Sequence, residues 1–210
     1  MQPANDPTPS HPPSEARPGH ARVRLDSSFA RNWQATVLDR RPLIAPARHF
    51  VYPARVEEVE RGALELVVRP AAGGDFLATF ALGFADPAVP TGVWACPDPD
   101  WLCAVAGGYA YRVNTADPRQ WERVEYRPVL DVVPLLQQQL LLFAGHQSLV
   151  AYGPNGKAWE TERLSWEGFK ILKIDGQTLV GLGWDLITDQ EFEFQVNLQT
   201  GERIDPKKGR

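Results

Sequence analysis

The sequence is poor in cysteine, lysine and long apolar runs, and each shortage removes a class of protein. Two cysteines, Cys96 and Cys103, in 210 residues cannot make the disulfide framework of a small secreted scaffold. They cannot make a zinc site alone either, because no second Cys/His pair offers the remaining ligands. No metal and no cofactor is therefore expected. Lysine occurs 5 times against 17 arginines, and the formal net charge is -4. Affinity for nucleic acid rests on neutralising phosphates, so without a basic surplus nucleic acid is not an expected partner. No apolar stretch approaches the ~18 residues of a membrane-spanning helix, and no membrane partner is expected.

Familiar catalytic signatures are missing too. There is no G-x-S-x-G nucleophile elbow, and of the four histidines only His49 and His146 fall within the part expected to fold. "GPNGK" (153–157) superficially resembles a phosphate loop, but it lacks the G-x-x-x-x-G-K-[ST] spacing. The proline- and serine-rich opening residues 1–21 contain no apolar segment of the kind a secretory signal needs. A disordered tail and a cytoplasmic location are the expectations.

What remains is ordinary for a soluble domain with a sizeable core: 43% hydrophobic and 23% charged residues. Three apolar runs end in glycine: "CAVAGG" (103–108), "LLFAGH" (141–146) and "LVGLGW" (179–184). Their glycines, Gly107, Gly145 and Gly183, are separated by 38 and 38 residues. Equal spacing between similar strands marks a repeat, and a period near ~40 suits units of one small sheet each. A second strand and a turn follow each glycine, then a polar strand with aromatic residues, then an apolar strand leading to the next glycine. Stepping the same 38 residues back from Gly107 reaches Arg69, at the end of "ALELVVR", with "DFLATFALGF" (75–84) as second strand and "RHFVYPARVEEV" (48–59) as the strand before.

The "VNLQTGER" (196–203) and "AYGPNGKAWE" (151–160) turns resemble those of β-propeller repeat proteins. The resemblance implies an architecture only, and carries no catalytic residue across. The expected fold is all-β, about four tandem four-stranded antiparallel units over residues 48–206, arranged like a propeller. A twisted β-sandwich and an open stack are the alternatives. Residues 22–47 form a lead-in, where Phe29, Trp33 and Val37 fall four apart behind Asp26 and Ser27 and predict a short helix or irregular segment. Residues 207–210 form a basic C-terminal tail. "VVPLLQQQLLLF" (132–143) contains helix formers, but Pro134 and the repeat period assign it to strands.

Candidate chemistry is thin. Cys96 and Cys103 flank "PDPDWL" and would oppose each other across a two-residue hairpin turn, yet the expectation is a pair of buried free thiols. Asp98 and Asp100 read as turn formers rather than calcium ligands. Glu160/Glu162 and Glu191/Glu193 share strand faces, where exposed carboxylates are the rule. Most of the seven tryptophans should be core, with one or two left to form a platform. The position after the aligned glycine holds Gly108, His146 and Trp184, and equivalent loop positions of repeat proteins lie on one face. Tyr109, His146, Trp184 and Asp185 are accordingly expected to border one binding surface. The function expected is a protein-binding or scaffolding module, with another protein as partner. The alternatives are a hydrolase acting on a glycan or other polar substrate, with carboxylates beside His146, and a lectin-like sugar binder using an exposed tryptophan.

Overall fold

The structure, a computed structural model, describes residues 23–44, 46–54, 62–84 and 88–204. Among these residues there is no helix, and sixteen strands form four sheets. The expected tails, 1–21 and 207–210, lie outside the described residues.

The chain enters through β1 (Arg24–Asp26) and then builds a first sheet from β2 (Trp33–Leu38), β3 (His49–Tyr52), β4 (Ala63–Pro70) and β5 (Phe76–Ala81). The order is β2-β4-β5-β3. The second sheet runs β6 (Gly92–Ala95), β7 (Trp101–Ala106), β8 (Tyr109–Asn114) and β9 (Trp121–Arg123), with β1 added at the β6 edge. The third is the meander β10 (Asp131–Leu135), β11 (Leu140–Ala144), β12 (Leu149–Gly153) and β13 (Gly156–Glu160). The fourth has three strands, β14 (Phe169–Asp175), β15 (Thr178–Asp185) and β16 (Gln190–Asn197). Pro134 sits in β10 at the edge of its sheet, where a missing N–H costs no interior ladder bond.

Three expectations are corrected here. The units are not all four-stranded and antiparallel: the sheets have four, five, four and three strands, and β1/β6 and β3/β5 pair in parallel. The helix predicted within 26–38 is absent, and Trp33–Leu38 is a strand paired residue for residue with β4. A spacing of four is even, so Trp33 and Val37 also share one face of a strand, and both belong to or pack on the core. That strand, rather than 48–59, lies beside β4 on the side away from β5. Of the latter stretch, His49–Tyr52 joins the far edge of the sheet next to β5, and 55–59 lies outside the described residues.

Burial explains the run "LLLFA". On β11, Leu141 and Phe143 enter one buried cluster with Val150 and Tyr152 and with residues of the first two sheets. Leu140, Leu142 and Ala144 enter another, with Leu149, Ala151, Leu179 and Phe194 of the third and fourth sheets. The third sheet is thus apolar on both faces, and a strand covered on both faces reads as a continuous hydrophobic run. Each fully buried leucine contributes about 1.5–3 kcal/mol relative to an exposed one.

Candidate functional site

The aligned glycines hold the strand ends where function was sought, and they do so by close approach. A Cβ at Gly145 would lie 1.5 Å from Cε1 of Tyr126, and one at Gly183 would lie 2.5 Å from the carbonyl oxygen of Leu164. At Gly107 the nearest atom would be the Phe84 carbonyl oxygen at 2.6 Å, and there alone among the three φ is positive, at 56°. At each glycine, the segment leading in from the preceding strands crosses the end of the sheet's second core strand. No room is left for a side chain.

The crossing segments also fasten the loops beyond the glycines. Tyr126 Oη accepts a hydrogen bond from the Gln147 N–H (2.8 Å), and Leu164 N–H donates to the Gln147 carbonyl (2.7 Å). In the next sheet, Ser165 Oγ accepts from the Trp184 N–H (2.9 Å) and Trp166 N–H donates to the Trp184 carbonyl (3.0 Å). His146 is therefore carried on a loop pinned through Gln147 by two segments, and Trp184, near the end of β15, is held by Ser165 and Trp166 as well as by its strand partner Glu191. A rigid mount of this kind suits recognition, because little freedom remains to be lost on binding.

His146 and Trp184 line one open depression of about 420 Å³ together with Gln147, Trp166, Glu167 and Leu186. Trp166 is 36% exposed, Leu186 56% and the adjacent Ile187 83%. The Arg163 guanidinium lies over the Trp166 ring at 4.3 Å. Trp184 donates its indole N–H to Asp189 Oδ1 (3.2 Å), which fixes the ring at the rim. The carboxylate in the lining, Glu167, is exposed.

The other two expected residues stand apart from this lining. Asp185 forms the β15–β16 turn: its Oδ1 accepts from the Ile187 N–H (3.0 Å), the Thr188 N–H (2.8 Å) and Thr188 Oγ1 (3.0 Å). These bonds, led by the Thr188 N–H, hold its carboxyl below the usual aspartate value. Tyr109 opens β8 and packs edge-on against Phe84 at 5.7 Å, with the Arg127 guanidinium over its ring at 5.3 Å. Trp166 was not singled out from sequence. The signal that finds it is the crossing segment itself, since Tyr126 and Leu164 are also 38 residues apart.

Elsewhere the candidate groups have structural roles. Cys96 and Cys103 are free and buried, but they do not face each other. Cys103 pairs with Trp94, and Ala95 with Leu102, because the hairpin loop is longer than two residues. That loop is held from outside, with Thr115 N–H and Oγ1 donating to the Asp100 carbonyl (2.8 and 2.9 Å). Burial pushes the Cys96 thiol up to about 11, against the pull of Arg112, and raises Cys103 as well. Glu160 pairs with Lys157 at 2.7 Å. Glu191 and Glu193 alternate with Phe192 and Phe194 on β16 and are exposed.

A second polar constellation lies between the second and third sheets. Arg112, with only 1% of its side chain exposed, has its guanidinium over the rings of Tyr152 (4.6 Å) and Trp101 (5.0 Å). It pairs through Nη1 with Glu122 Oε1 of β9. Comparison of the chain with protein-family models gives no match, and comparison with curated proteins gives none either.

Proposed function

We propose that the protein is a binding module for another protein, with the depression around His146, Trp166 and Trp184 as its recognition surface. The observation that carries this reading is the grouping of two tryptophans with exposed Leu186 and Ile187 at the ends of adjacent sheets. Tryptophan is enriched among the residues that dominate protein–protein affinity, and a contiguous apolar rim is uncommon on a surface with no partner. A hydrolase would need His146 to meet a partly buried carboxylate. Glu167 is exposed, and Asp185 is committed to its turn.

The propeller-like arrangement belongs to the same proposal. Clusters shared by the first, second and third sheets, and then by the third and fourth, support a series of blades stacked in chain order. Such a series puts equivalent loops on one side, which is how positions 146 and 184 come to serve one surface.

Affinity capture from the native host tests the function. The wild type is expected to retain a partner that the His146→Ala/Trp184→Ala double variant, with an unchanged unfolding midpoint, retains about tenfold less well or worse. If the folded double variant keeps every partner of the wild type, the recognition surface is elsewhere.

A further inference from the structure

We propose that the groove between the second and third sheets binds a neutral oligosaccharide, independently of the protein partner assigned to the strand ends. The groove consists of two hollows that share Glu122. One, of about 440 Å³, is lined by Trp101, Arg112, Gln120, Trp121, Glu122 and Asn155, among others. The other, of about 430 Å³, continues past Glu122 to Glu125, Tyr126, Tyr152, Lys157 and Glu160. An extent of two hollows suits a chain of sugar rings better than a single small molecule.

Charge excludes the other ligand classes first. Arg112, Arg123 and Lys157 stand against Glu122, Glu125 and Glu160, three of each sign across the two hollows. Two of these pairs are closed internally, Arg112 with Glu122 and Lys157 with Glu160. A groove with no net charge and four of its six ions paired internally has little to select an anion or a cation. It retains directional hydrogen bonding and flat apolar surface.

Those two properties match a sugar. Each hydroxyl of a saccharide both donates and accepts, and that pattern is matched by the exposed amides of Asn155 and of Gln120, whose Nε2 also donates to Asp117 Oδ2 at 3.1 Å and so holds that side chain in place. Glu122 gives Oε1 to Arg112 and keeps Oε2 as an acceptor. Trp101 and Trp121, both partly exposed, offer ring surface to the C–H face of a pyranose. Beneath them the guanidinium is fixed between aromatic rings, and its Nε–H has no hydrogen-bond partner although it is buried. The two rings and the Glu122 carboxylate hold Arg112 fixed behind the groove, so the exposed groups in front of it sit on a rigid backing.

The test is calorimetric titration of the full chain with maltohexaose, cellohexaose, laminarihexaose and xylohexaose, read in parallel by the indole N–H resonances of the tryptophans. At least one sugar is expected to bind the wild type and to shift two indole resonances. Gln120→Ala/Asn155→Ala, which alters exposed side chains only at the groove, should weaken that binding by about tenfold or more. His146→Ala/Trp184→Ala should leave it unchanged, which separates this site from the strand-end surface. The proposal is overturned if no sugar binds, if the groove variant binds as the wild type does, or if a lysine-rich peptide shifts the indoles and the sugars do not.

Discussion

Single residues decide whether the strand ends can form. Gly145 is required by the Tyr126 ring rather than by a positive φ, so its replacement is a matter of volume. Gly145→Ala is expected to destabilise the protein by about 1–3 kcal/mol, the usual cost of overfilling a packed site. In a Tyr126→Ala background the same change should cost clearly less, and denaturant melts of the four proteins in the cycle measure the coupling. Additive costs would show that Tyr126 is not what excludes a side chain at 145. The 38-residue spacing made these glycines legible, because a steric demand leaves the same residue at each crossing. Tyr126 and Trp166 were not legible, since their importance arises only when the chain folds back across the glycine. The buried thiols set a second expectation. A group whose folded pKa is raised contributes stability that is whole below its unfolded value and is lost as pH rises through the folded one. For Cys96 that window runs from its ordinary 9.0 to about 11. The denaturation midpoint should fall across this range, and Cys96→Ala should flatten the fall in a pH series of urea melts.

Strands are where pattern and context disagree most instructively. The stretch 33–38 carries its apolar residues at a spacing that suits either a helical face or one side of a strand. Pairing with β4 along six residues decided for the strand, and that partner is invisible to a local reading. The run "LLLFA" posed the opposite case, since its lack of alternation hides which side chain faces which neighbour. The structure divides it, Leu142 toward the fourth sheet and Leu141 with Phe143 toward the second. Leu142→Ala is expected to cost about 2–5 kcal/mol, as for other fully buried leucines, whereas Leu172→Ala on the exposed side of the fourth sheet should cost less than about 0.5 kcal/mol. Thermal unfolding of the two variants side by side checks the assignment. Equal losses would mean that the fourth sheet is not packed on the third as described.

At the scale of the whole molecule, the all-β class and the presence of about four small sheets were legible, because short apolar strands alternate with turn residues along the chain. Strand order in the first sheet was not, since β3 reaches its edge by a connection that skips β4 and β5 and leaves no local trace. Of the four residues expected to border one surface, His146 and Trp184 line one depression. Tyr109 and Asp185 were named by sequence adjacency, and each has a packing or turn role instead. The central claim is that a partner protein docks over this depression. Photo-cross-linking tests it most directly, with benzoylphenylalanine placed at Leu186 on the rim and, separately, at Leu43 in the exposed loop before β3. The account predicts a partner adduct from position 186 and none from position 43. An adduct from position 43 with none from 186 would contradict it.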